Sequence, residues 1–289
     1  MTAQATVAHG ARGHLSFART WSGGIGLVLT VSVLFIAIFG PFLAPHPPAA
    51  LLGAPFQAPD SAFPLGTDIL GRDVLSRVLC GGRTVVGYAT IATAIAYVIG
   101  GSLGLIAGYT RSLVDPVVMR VMDVMLAFPP FLFLLVLTTG LGTGPYVLII
   151  GVASIHVPGI VRIVRAATLE VKGRGFVEAA VARGERRSAV LRREIVPNIT
   201  GTLVADAAPR LTISILLVAS LNYLGLGLHP PAADWALMLS ENRPGLTIQP
   251  WSVAVPGLLI VALTIGTNLL ADAVARSRGT SIDRELIAR

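Results

Sequence analysis

Six apolar runs dominate the chain: residues 23–44, 84–108, 117–140, 146–164, 203–228 and 251–274. Each is long enough to cross a hydrocarbon core of about 30 Å as a helix, which takes about 20 residues. The first two carry no charge. The third holds Arg120 and Asp123 near its start, the fourth His156 and Arg162, the fifth Asp206 and Arg210, and the sixth Asp272 near its end. The pattern predicts an all-α integral membrane protein with about six transmembrane helices. The first run is too long for a signal-peptide core and reads as a retained helix.

Composition agrees. Hydrophobic residues make up 54% and charged residues 13% of the 289, about half the charge of an ordinary soluble domain. The mean hydropathy is +0.76. The net charge of +7 would suggest nucleic acid in a soluble protein. Here the basic residues crowd into short connections, which the positive-inside rule explains without a nucleic-acid partner. Seventeen Lys and Arg fall on one side: Arg12, Arg19, Arg111, Arg120, nine between Arg162 and Arg193, and Arg276, Arg278, Arg284 and Arg289. Four, Arg72, Arg77, Arg83 and Arg243, fall on the other. Both termini are therefore expected in the cytoplasm, with 1–22 as an N-terminal segment, 45–83 as an external loop and 277–289 as a tail. Cys80 is the lone cysteine, so no internal disulfide forms.

The connection 165–197 is too long for a plain linker. Phe176, Val177, Ala180 and Val181 recur at helical spacing, and Gly184 interrupts. Ser188 to Ile195 then reads as a second short helix ended by Pro197. Ala179 and Ala180 are small enough for another backbone to approach closely. Two readings fit: a docking element that seats in a groove of a cytoplasmic protein, or an interfacial helix lying on anionic lipid.

Polar residues inside apolar runs are candidates for pathway or gating roles. They are Asp123, His156, Asp206 and Arg210; the last two, four apart, can pair with each other. Pro129 and Pro130 predict a kink in the third helix. Gly100, Gly104 and Gly108 permit close helix contact, within the chain or across a dimer. Before the second run, Asp68, Arg72, Asp73 and Arg77 fit an external element that meets a partner or gates a pore. They fit equally a salt-bridged amphipathic helix at the interface. A phosphate-binding loop needs a glycine-rich stretch ending in G-K-S/T. The single lysine, Lys172, lies in V-K-G-R-G, so no ATPase site is expected here.

Glu178-Ala179-Ala180, a three-residue gap, Gly184, and Ile195-Val196-Pro197 resemble the E-A-A loop of ATP-binding-cassette importer permeases. Residues 64–77 (PLGTDILGRDVLSR), 123–129 (DVMLAFP) and 223–239 (YLGLGLHPPAADWALML) are similar to segments of the dipeptide, oligopeptide and nickel permeases, C-type subunits above all. Ala236 stands where that family usually has glycine, and the tail lacks its usual ending. The resemblance implies a type I importer transmembrane domain in the bacterial inner membrane, forming half of a pore for di- or oligopeptides. It implies a homologous permease subunit as heterodimer partner, one or two ATPase subunits that bind ATP and magnesium, and an extracytoplasmic solute-binding protein. It assigns ATPase docking to Phe176, Glu178, Ala179, Ala180, Gly184, Arg187, Ile195 and Pro197. Trp235 joins the external-face candidates. No cofactor or metal is expected in this chain. Nickel chelates and haem remain alternative cargoes. A proton-coupled secondary transporter would need an intramembrane carboxylate pair or chain and inverted repeats, and neither is evident. An intramembrane serine protease would set a serine against a histidine at depth; His156 and Ser214 or Ser220 are available, but no G-x-S-x-G accompanies them.

Overall fold

The structure, a computed structural model, describes residues 21–110 and 113–287, with the backbone only for 274, 275 and 277–287. Arg12, Arg19, Arg111 and the side chains of the expected tail lie outside the described residues. The helices are α1 (Trp21–Leu43), α2 (Val74–Tyr109), α3 (Val114–Ala127), α4 (Pro130–Leu141), α5 (Pro145–Lys172), α6 (Gly175–Ala182), α7 (Arg187–Val190), α8 (Val196–Tyr223), α9 (Trp235–Asn242) and α10 (Trp251–Ile287). A π turn, Leu191–Ile195, joins α7 to α8. Among the described residues, β pairing is limited to two isolated bridges, Leu51 with Arg72 and Thr67 with Asp73. Among the described residues five helices are long and apolar enough to cross a bilayer, and there are six if α3 and α4, bent by 88° at their break, count as one span.

Several helices overrun the apolar segments that announce them. α2 starts at Val74, ten residues before the expected 84, because Asp73 caps it. Its carboxylate accepts the Leu75 and Ser76 N–H groups at 3.2 and 3.1 Å. α5 continues to Lys172, and α10 runs past residue 276 to Ile287. Arg187 to Tyr223 is one continuous 37-residue helix, so Pro197 does not end the second arm of the loop. In a regular α-helix its ring would strike the carbonyl four residues back. The wider π turn just before it relieves that conflict, and Pro197 lands in the first turn of α8. In the third span, Pro129 takes an extended ψ of 128° and Pro130 opens α4, which turns the expected kink into a break.

The chain divides into two compact units, residues 1–83 with 241–289, and residues 84–240. In the first, α1 lies along α10. A Cβ on Gly26 would come within 2.9 Å of the Leu269 Cβ, so the two helices meet at backbone distance there. In the second, α2 lies against α5 through Gly100, Gly104 and Gly108. A Cβ on these would fall 2.9, 2.7 and 2.8 Å from the Cβ atoms of Ile160, Val164 and Thr168. The glycine ladder of α2 is thus used within the chain.

Candidate functional site

Residues 173–197 fold as a helical hairpin. Val177 and Ala180 of α6 are buried, while Phe176, Glu178 and Ala179 face outward. α6 stops in a Schellman turn. The Gly184 N–H donates to the Val181 carbonyl at 2.9 Å and the Glu185 N–H to that of Ala180 at 3.3 Å. Gly184 has φ +75°, and a Cβ there would meet nothing within 4 Å. Glycine is therefore required by the backbone angle and not by space. On the second arm Val190 and Ile195 are buried, whereas Arg187 and Pro197 are exposed.

Both arms run directly into membrane spans. α5 has 28 residues and Arg187–Tyr223 has 37, or about 42 Å and 55 Å at 1.5 Å per residue. Against a core of about 30 Å, the first overruns by about 12 Å and the second by about 25 Å. Both excesses lie at the hairpin end, where charged residues replace apolar ones. An ordinary tilt of about 20° shortens the longer helix by only about 3 Å.

Ion pairs hold α5 to α3. Arg165 grips Asp115 with two bonds of 2.5 and 2.6 Å, and Arg162 reaches Asp123 at 2.5 Å. Asp123, a pathway candidate, is thus paired at a half-exposed position. Lys172 donates to the Tyr109 carbonyl at 2.5 Å, which fastens the end of α5 to the end of α2. Asp115 and Tyr109 carry no motif and escaped the sequence reading.

Deeper in the second unit, Arg210 and Tyr97 both donate to Asp206, at 2.5 and 2.6 Å. His156 is buried and shares a hydrogen bond with Ser214 at 2.9 Å, and Ser214 another with Thr93 at 2.8 Å. These candidates therefore form two satisfied polar clusters linking α2, α5 and α8. Spacing announced Asp206 with Arg210, and Ser214 is one of the two serines that the sequence sets against His156; Tyr97 and Thr93 come from the fold alone.

The segment before α2 differs from expectation. Asp68, Arg72, Asp73, Arg77 and Trp235 are all buried, at most 1% exposed, so none is an accessible contact in this chain, and neither surface reading fits. Asp68 accepts from Arg72 at 2.6 Å and lies 3.4 Å from the Arg77 Nε. Glu241 binds the other side of both arginines, at 2.9 and 2.7 Å. Asp73 takes the Ser76 hydroxyl at 2.5 Å and His46 at 3.2 Å. Gly71, with φ +76°, turns the chain so that its carbonyl accepts the N–H groups of Leu52 and Gly53. Glu241 is the member that sequence reasoning missed.

The family model described as binding-protein-dependent transport system inner membrane component matches residues 100–279. The chain belongs to this family. It is a permease, a multi-pass protein of the inner membrane that works with ATPase and binding-protein partners. The permease is 32% identical to the dipeptide transport system permease protein DppC of Alkalihalophilus pseudofirmus, over 86% of this chain and 82% of that one. It is 36% identical to the glutathione transport system permease protein GsiD of Pectobacterium atrosepticum, over 75% and 72%. Its fold resembles the inward-facing MetNI methionine ABC transporter, with a TM-score of 0.54 at 20% identity, over 71% of this permease and 95% of that chain. The fold is that of a type I importer transmembrane domain.

Proposed function

We propose that this permease forms half of the translocation pathway for di- or oligopeptides and that its 173–197 hairpin is the handle for the ATPase subunits. It pairs with a homologous permease subunit, and a solute-binding protein delivers cargo from outside. Both termini and the hairpin are cytoplasmic. The chain hydrolyses no ATP and holds no cofactor; ATP and magnesium belong to the partner. The peptide cargo is supported by the names of the related permeases.

The observation that carries the docking reading is the overrun of α5 and of the continuous helix Arg187–Tyr223. Arg193 lies about 15 Å and Arg187 about 24 Å beyond the hydrocarbon edge, past a headgroup layer of about 5–8 Å. An interfacial helix resting on lipid would sit within that layer. A hairpin thrust below it meets protein. Because both arms continue into α5 and α8 with at most a two-residue turn, a push on the hairpin moves two spans. The Arg165–Asp115 and Arg162–Asp123 pairs carry the push to α3. Closure of the ATPases then shifts the helices between inward- and outward-open arrangements.

The test uses the complete importer in proteoliposomes. Glu178→Arg and Gly184→Pro should abolish ATP-driven peptide uptake while membrane insertion stays normal. Normal uptake by either variant refutes the docking assignment. The ligand carried by the co-purified binding protein decides between peptide, metal chelate and haem.

A further inference from the structure

We infer that the ATPase meets this hairpin with an acidic face and seats an apolar side chain in the cleft behind α6. This deepens the docking reading and rests on it. Residues 173–197 hold six arginines and three glutamates: Arg174, Arg183, Arg186, Arg187, Arg192 and Arg193 against Glu178, Glu185 and Glu194. Two arginines are neutralised close by, Arg174 by Glu170 at 2.8 Å and Arg183 by Glu185 at 2.7 Å. Arg186, Arg187, Arg192 and Arg193 are exposed and have no ion pair among the described residues. Four like charges within eight residues repel one another, and a carboxylate-bearing surface removes that repulsion. Lipid phosphate is the other anion available, but the overrun of the continuous helix Arg187–Tyr223 holds this row below the headgroups.

The cleft gives the surface its second half. It has a volume of about 800 Å³, and its lining includes Tyr109, Leu169, Val177, Glu178, Val181 and Arg187. Leu169 and Val177 supply apolar wall, and Val181 is 53% exposed at its edge. On the hairpin's outer face Phe176 is 40% exposed. Large apolar groups left in water below the membrane favour a cover. Arg187 belongs both to the cleft and to the arginine row, so one partner segment engages the two together. An apolar anchor flanked by carboxylates on the side of the arginine row, and by a basic group where it faces Glu178, matches this arrangement.

The experiment measures retention of the co-purified ATPase subunits by the complete importer in nanodiscs, from low to high salt. Discs are made of phosphatidylcholine alone or mixed with phosphatidylglycerol. The paired change Arg192→Glu with Arg193→Glu should weaken retention about tenfold and flatten its salt dependence, equally in both lipids. Val181→Trp should weaken it at every salt concentration. These side chains are exposed, so unfolding temperature should not move, and Arg192→Gln with Arg193→Gln should give an intermediate loss. Retention indifferent to salt and to the arginine changes overturns the acidic face while docking stands. Retention unchanged by Val181→Trp overturns the seat in the cleft. An arginine effect confined to phosphatidylglycerol discs assigns the row to lipid and overturns the inference. ATPase binding that survives Gly184→Pro defeats the docking reading itself.

Discussion

The buried cluster around Arg72 and the exposed row around Arg187 are both arginine-rich stretches beside a membrane helix, yet they end in opposite states. Arg72 and Arg77 are at most 1% exposed and share two carboxylates, Asp68 and Glu241. Arg186, Arg187, Arg192 and Arg193 stay in solvent without an ion pair among the described residues. The first set is satisfied inside its own unit and works as structure. The second is left open and suits a partner. The difference lies in one distant residue, Glu241, which stands 169 positions from Arg72 and 164 from Arg77.

The sharpest way to break this contrast is to remove that residue's charge. Glu241→Gln leaves two buried guanidinium groups against one carboxylate. Breaking one side of a buried ion-pair network costs about 3–5 kcal/mol. The expected result is a large fall in the unfolding temperature of the purified permease in detergent. Adding Arg77→Met should recover part of the loss, because the two changes touch one network and are not additive. An unchanged unfolding temperature for Glu241→Gln would place the cluster on the surface with the hairpin arginines.

Next in size is the turn of the hairpin. Gly184→Ala imposes a side chain on a left-handed backbone angle that costs an L-residue about 1–2 kcal/mol. Its Cβ would meet nothing within 4 Å, so the cost is confined to the turn. The expected signature is faster amide hydrogen exchange over 180–187 and reduced ATP-driven uptake, with little change in global unfolding. A global loss matching that of Glu241→Gln would mean that the hairpin is as integral to the fold as the buried cluster.

What the sequence made legible follows the same division. Hydropathy located the spans, because contact with lipid is a local property of about 20 residues. It misplaced the ends of α2, α5 and α8, because charged turns beyond the lipid remain helical and look like loops. Val74, Lys172 and Val196 mark where those helices start or end. The hairpin was legible from Gly184 and the spacing of Val177 and Ala180, both short-range signals. The Asp206–Arg210 pair was legible for the same reason. The roles of Tyr97, Asp115 and Glu241 were not, since each depends on a partner at least 50 positions away. The surface readings of residues 68–77 failed there too: with Glu241 unseen, nothing in the stretch indicated that its arginines could be buried.

The smallest effect belongs to Asp234, which separates a buried carboxylate with neutral donors from one paired to arginine. Asp234 is buried, caps α9 by accepting the Ala236 and Leu237 N–H groups at 3.0 and 3.1 Å, and takes the Thr84 hydroxyl at 2.6 Å. Burial raises its pKa above the usual 3.8 despite those donors. The sign follows from linkage. A carboxyl whose folded pKa is raised contributes stability that is complete below 3.8 and is lost as pH climbs through the folded value. Asp234→Asn keeps a cap oxygen, since Asn and Asp are about equal as N-caps, and removes the titration. The variant should stay within about 1 kcal/mol of the parent at neutral pH, with a flatter stability profile from pH 4 upward in thermal unfolding. A profile as steep as the parent's would move that pH dependence to other groups. A loss of the size expected for Glu241→Gln would show that the Asp234 charge is compensated as fully as that of Asp68.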